Sequence, residues 1–259
     1  MTFEAYLTVR NAADYADFLL PHLAPDFQVI DVGCGGGSIS VGLAKLVRHV
    51  IGVDLEEAAF ADARQYAAQH GIDNVEFRAG SVYALDFPAD QFDACLCHSM
   101  LEALERPLDG LQEIKRTLKP GGVLGAACVE YGGLILAGPH EALLRRFYAL
   151  RERLWQLENA GDPYRGRALR GLLKSAGFES VVASTKYFCY GTDDAVKSFG
   201  IGRAADCRDD WYASAAKQHG LATSRDLEAM EHAWIEWSES SAAYAAFAWC
   251  RAIGWKPIG

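Results

Sequence analysis

Four glycines, Gly33, Gly35, Gly36 and Gly37, fall within five positions, between two carboxylates 23 positions apart, Asp31 and Asp54. Glycine lets the backbone enter positive φ and lets a ligand approach the main chain closely. The apolar run 29–32 reads as a buried strand. Ile39, Val41, Leu43, Ala44, Leu46 and Val47 follow the turn at helical spacing. A strand, a glycine turn and a helix start together offer unpaired N–H groups and a positive dipole end to a polar small molecule. Residues 49–53 read as the next strand, with Asp54 at its end. A carboxylate there accepts hydrogen bonds from both hydroxyls of a ribose. The residues therefore point to a nucleoside cofactor across the carboxyl ends of a parallel sheet.

The dinucleotide fingerprint asks for a third small residue where this chain has Ser38. The spacing Asp31-x-Gly33-x-Gly35-x-Gly37 instead resembles motif I of the class I S-adenosylmethionine-dependent methyltransferases. Two further stretches agree with it. Leu118-Lys119-Pro120-Gly121-Gly122, ahead of an apolar run, resembles that family's turn into its fifth strand. Leu172-Leu173-Lys174-Ser175-Ala176-Gly177-Phe178 resembles its last helix and the entry to its sixth strand. The ordered set spans residues 28–190.

The resemblance implies an α/β fold with a Rossmann-like, seven-stranded, mostly parallel sheet, helices on both faces and a helical cap from insertions. It implies S-adenosyl-L-methionine as methyl donor and S-adenosyl-L-homocysteine as product. Gly33, Gly35 and Gly37 would hold the methionine portion, Asp31 its ammonium group and Asp54 the ribose. Leu55 and Val82 match the apolar positions that sandwich adenine. Ser81 stands where the family usually carries an acidic residue for the adenine amino group. Cys97 ends the fourth strand and opens the loop that flanks the methionine end. His98 follows it directly and is the first candidate for a general base, with an ordinary pKa near ~6.5. Glu130 and Tyr131, expected just beyond the fifth strand over 122–129, are the next two. Many relatives carry Glu-His where this chain has Glu102-Ala103.

The rest of the chain must position these residues. At 259 residues, half of them hydrophobic, it suits one domain with a packed core. Within it, 1–27 reads as a lid and helix, with Tyr6 and Arg10 folding over the site and Asn11 capping a helix to about Leu20. Residues 28–130 read as the cofactor half. A helix spans 56–70. Residues 131–163 and 191–241 read as cap insertions, with helices over 140–157, 193–199, 209–219 and 224–237. Strand six spans 181–190. By resemblance 243–253 is a seventh, antiparallel strand, although its alanines favour helix.

Net charge is −9, and residues 1–130 hold 19 acidic against 9 basic side chains. A basic stripe for nucleic acid is not visible. Arg145, Arg146, Arg151 and Arg153 lie among apolar residues at helical spacing and read as the solvated face of an amphipathic helix. Seven cysteines without a C-x-x-C argue against a disulfide framework or a metal site. No apolar run approaches the ~20 residues of a membrane span, and the start lacks a basic segment followed by an apolar one. The expectation is a cytoplasmic enzyme, monomer or homodimer. The aromatics Tyr148, Trp155, Tyr164, Trp211, Tyr212, Trp234 and Trp237 suit a small, apolar or aromatic substrate. The alternatives are a protein that binds S-adenosylmethionine without transferring methyl and a nicotinamide-dependent oxidoreductase.

Overall fold

The computed structural model describes residues 10–55, 57–159, 161–208 and 211–259. Seven strands form one sheet: β1 Gln28–Val32, β2 His49–Asp54, β3 Val75–Ala79, β4 Phe92–His98, β5 Leu118–Ala137, β6 Glu179–Tyr190 and β7 Tyr244–Trp255. Their order is β3-β2-β1-β4-β5-β7-β6. The pairs β1–β2, β2–β3, β1–β4 and β4–β5 are parallel, and β7 is antiparallel. The α-helices are α1 Ala12–Tyr15, α2 Ser38–Ala44, α3 Phe60–Gln69, α4 Pro107–Thr117, α5 Glu141–Asn159, α6 Leu169–Ser175, α7 Asp193–Asp206, α8 Trp211–Gln218 and α9 Ser224–Ser238. No described helix is long and apolar enough to cross a membrane.

The chain divides into two compact units. Among the described residues, the first holds 10–128, 165–185 and 250–259, and the second holds 129–164 and 186–249. In the first unit the strands alternate sides with the two-residue period of a pleated sheet. Ile30, Val32, Ile51, Val53, Cys95 and Cys97 enter one core with Leu111 and Ile114 of α4. Val29, Val50, Ala94 and Leu96 enter the other with Ile39 and Leu43 of α2. Asp93 ties three strands at one edge: its carboxylate accepts Gln28 N–H at 2.8 Å and Lys119 Nζ at 2.5 Å. In the second unit Trp234, Trp237 and Tyr212 are fully buried, as is Phe147 beside them, so these three expected pocket aromatics are core.

Several elements differ from the sequence reading. Asn11 does cap α1, accepting the Asp14 N–H at 2.8 Å, yet the helix ends at Tyr15. A separate 3-10 turn, Leu20–His22, follows with Pro21 in its first positions, where a fixed φ and a missing N–H are tolerated. Tyr6, Glu56 and Asp209 lie outside the described residues. Strand β5 does not stop at 129; it runs to Ala137, so Glu130 and Tyr131 lie inside a strand. Gly132-Gly133 reads as a break in sequence. In the fold, Gly133 lets Ala248 of β7 approach so closely that a Cβ at Gly133 would sit 2.4 Å from the alanine methyl. The alanine-rich run 243–253 is a strand because its small side chains fit such approaches; helix propensity is a weak prior that packing overrides. Arg145, Arg146 and Arg153 are solvated as expected, but Arg151 is buried, which corrects that reading.

Gly37 tests this packing. Its φ is +71°, and a Cβ there would lie 2.5 Å from the Phe77 ring and 2.8 Å from Ala63. Left-handed backbone costs a non-glycine residue roughly 1–2 kcal/mol and overpacking about 1–3 kcal/mol. Gly37→Ala should therefore destabilise the protein by about 2–4 kcal/mol in urea unfolding. An unchanged midpoint would mean that the turn is not packed as described.

Candidate functional site

The glycine turn is fastened to the end of β2. Gly33 N–H and Cys34 N–H donate to Val53 O at 2.8 and 3.1 Å, and Gly35 N–H donates to Asp54 Oδ2 at 2.8 Å. Leu55 N–H donates to the other oxygen, Asp54 Oδ1, at 2.8 Å. Gly33, Gly35 and Gly37 all have positive φ. A Cβ at Gly33 would meet Met100 at 2.7 Å, whereas one at Gly35 would meet nothing within 4 Å. The turn is thus packed from below at Gly33 and Gly37 and open at Gly35. Beside it Leu55 is 75% exposed, an apolar face next to the carboxylate.

The other cofactor candidates divide. Asp31 is buried, and its Oδ2 accepts the Ser40 hydroxyl of α2 at 2.6 Å. Burial pushes its carboxyl up to about 7, with the Ser40 bond opposing the shift and the Asp54 charge adding to it. Ser81 is half-buried, and its hydroxyl accepts Tyr83 N–H at 3.3 Å. Val82 is buried in the core against Leu85, Phe87 and Leu111. Cys97 is fully buried, and burial holds its thiol protonated, with the Glu102 charge adding to the effect.

His98 closes β4, buried between Arg10 and Tyr15. Arg10 Nη1 lies 3.3 Å from His98 Nδ1, and the Tyr15 ring meets the imidazole edge-on at 5.4 Å. A guanidinium can only donate, so Nδ1 is the acceptor and the neutral ring carries its hydrogen on Nε2. Burial first, and the Arg10 charge second, hold the imidazole well below its ordinary pKa, against a smaller pull from its own backbone carbonyl. This departs from the unperturbed histidine expected from sequence. Ser99, next along, adopts φ +59°, strained for a residue with a Cβ, and its hydroxyl donates to the buried Glu102 Oε1 at 3.0 Å. Strain of this kind concentrates at functional loops.

Glu130 and Tyr131 belong to the second unit. Glu130 is buried and its Oε1 accepts Gly132 N–H at 3.1 Å. Tyr131 packs edge-on against Tyr148, Trp155 and Phe247, and its phenol is among the groups that hold the Arg151 guanidinium charged. Sequence reasoning missed Ser40 as the partner of Asp31, Arg10 as the partner of His98, and the buried Arg151. The Ser40 pairing could have been found by placing 31 and 40 on facing surfaces of a strand–helix unit. The Arg10 pairing, 88 residues apart, had no local signal.

These residues fit S-adenosylmethionine. A carboxylate stands at the strand end where a ribose needs one, an exposed apolar side chain follows it, and the main chain at Gly35 is open to close approach. Residues 23–149 match a protein family described as a methyltransferase domain. The chain is similar to an uncharacterized methyltransferase of Schizosaccharomyces pombe, 28% identical over 245 residues that cover 90% of this chain and 85% of that protein. It is also similar to the ubiquinone biosynthesis O-methyltransferase of Dinoroseobacter shibae, 33% identical over 120 residues that span 46% of this chain and 48% of that protein. Among solved structures, the YcgJ protein of Bacillus subtilis superposes with a TM-score of 0.62 at 16% identity, covering 95% of this chain and 100% of that one. At such identity the likeness shows the fold.

Asp31 makes stability depend on pH with a defined sign. Its unfolded carboxyl ionises near 3.8 and its folded one near 7. Between those values the folded state holds the extra proton, so this contribution is full below the unfolded value and is lost as pH rises towards 7. Asp31→Asn keeps an acceptor for Ser40 and removes the buried charge. The variant should match the wild type near pH 4 and exceed it at pH 8 by up to about 4 kcal/mol. Urea unfolding of both proteins at both pH values checks this, and a stability difference that does not grow with pH would contradict it.

Proposed function

Since this chain belongs to the class I S-adenosylmethionine-dependent methyltransferases, we propose that it methylates a small molecule with an aromatic or terpenoid body. The observation that carries the reading is the turn docked on Asp54 with Gly35 open beside it. The small-molecule class is supported by likeness to the ubiquinone biosynthesis O-methyltransferase and by the aromatic side chains of the second unit.

Bound S-adenosylmethionine supplies an electrophilic methyl group on a sulfonium. The chain's own work is to bind, orient and exclude water. Asp54 accepts hydrogen bonds from the ribose hydroxyls, and Leu55 lies against the adenine. Ser81 offers its hydroxyl to the adenine amino group. Gly33, Gly35 and Gly37 hold the methionine portion close to the main chain. Alignment of this kind supplies up to ~7–11 kcal/mol of a transfer barrier without a covalent intermediate.

His98 enters this scheme as a donor. With Nδ1 accepting from Arg10, the N–H at Nε2 orients the acceptor atom, and the ring stays neutral well into acid. Where the acceptor must lose a proton, Glu130 and Tyr131 of the second unit are the further candidates for the base.

Two outcomes test the reading. Asp54→Ala should weaken S-adenosylhomocysteine binding by about 2–4 kcal/mol, since two hydroxyls lose a charged acceptor. Calorimetry reads it, and unchanged affinity would remove Asp54 from the ribose. The second outcome is the pH–rate profile. Because the His98 pKa is lowered, the rate should hold as pH falls through ~6.5, and His98→Asn should keep most of it. An acid limb near the ordinary histidine value that disappears in His98→Asn would make His98 the base after all.

A further inference from the structure

The second unit contains a charge arrangement that its own packing leaves unbalanced. Arg151 on α5 and Arg203 on α7 both reach one carboxylate oxygen, Asp206 Oδ2, at 3.1 and 3.0 Å. The three side chains are only 10%, 13% and 5% exposed. Two guanidiniums against one carboxylate leave a surplus positive charge where an uncompensated charge is costly. Asp206 is the last residue of α7, so the carbonyls at that helix end offset part of the Arg203 charge. They offset a fraction of one charge.

Donors are in surplus as well. Tyr148 Oη, Arg203 Nε and Trp234 Nε1 are buried without a hydrogen-bond partner among the described residues. They share one neighbourhood: the Tyr148 and Trp234 rings meet edge-on at 6.0 Å. The Arg203 guanidinium lies 5.6 Å from the centre of Phe199, which meets Trp234 at 5.8 Å. Burial pushes the Tyr148 phenol up, with Arg203 and Arg151 pulling against it, so it remains a donor at neutral pH. Native proteins rarely bury donors without acceptors, and a cluster of three calls for an explanation.

We infer that this cluster recognises the carboxylate of a small organic acid. A carboxylate supplies the missing negative charge and accepts from the unused O–H and N–H groups. Its planar two-oxygen edge also matches the fork of a guanidinium. One surplus charge suits a monoanion; a phosphate dianion would reverse the imbalance. The inference rests on the small-molecule methyltransferase reading and narrows its acceptor to an acid with an aromatic body.

The test uses the whole protein. S-adenosylhomocysteine is titrated first, so failure of the cofactor reading appears by itself. Benzoate, benzamide and phenyl phosphate are then titrated into the saturated protein, followed by calorimetry and tryptophan fluorescence. Benzoate should bind at least about tenfold more tightly than benzamide, the scale of one charge-assisted contact. Arg203→Met should abolish that preference while S-adenosylhomocysteine affinity holds, and Arg203→Lys should keep part of it. Equal binding of benzoate and benzamide overturns the inference. So does a preference for phenyl phosphate, no benzoate binding at millimolar concentration, or an Arg203→Met protein that still prefers benzoate. If Arg203→Met does not fold, the wild-type comparison of benzoate with benzamide decides alone.

Discussion

The first unit depends on a left-handed stretch of backbone held between two strand ends. Three glycines at positive φ turn the chain sharply after β1, and three of the N–H groups thus exposed are satisfied by the end of β2. Met100 and the Phe77 ring occupy the spaces that side chains would need at Gly33 and Gly37. The turn is therefore rigid where it is packed and accessible at Gly35. Asp54 has two parts in this arrangement: it anchors the turn through Gly35 and presents a carboxylate at the strand edge. A ligand that bonds to Asp54 is thereby placed beside the open main chain.

The buried ionisable groups around this turn set the electrical conditions. Asp31 lies on the α2 side of the sheet, its ionisation opposed by burial and its carboxylate tied to Ser40, and His98 lies at the end of β4, kept neutral by burial and by Arg10. Each resists the charge it would carry in water, in opposite senses. An ammonium group brought near Asp31 would favour its ionised form, so cofactor binding and the protonation of this carboxyl are linked. The second unit shows the opposite condition, with Arg151 and Arg203 charged and incompletely matched by Asp206.

Much of the parallel part of the sheet was legible in the sequence because its information is local. The Asp31-to-Gly37 spacing and Asp54 one unit later are one-dimensional consequences of strand–turn–helix geometry, whereas Lys119-Pro120-Gly121-Gly122, read as a turn, lies inside β5. The resemblance they carry implied the seven-stranded sheet that the structure has. What was not legible depends on contacts distant in sequence. Gly132-Gly133 looks like a break until Ala248 is seen beside it. His98 looks like an ordinary imidazole until Arg10 is found at its ring. Arg151 sits in a row of arginines, and helical spacing alone did not single out the one that turns inward to Asp206.

The central claim is that the Gly35 opening and the Asp54 carboxylate together hold the nucleoside. A crystal structure of the protein with S-adenosylhomocysteine tests it most directly. Both ribose hydroxyls should lie within hydrogen-bond distance of Asp54, with the methionine portion along the turn at Gly35. Density for the ligand elsewhere, away from Asp54 and from the main chain at Gly35, would contradict it.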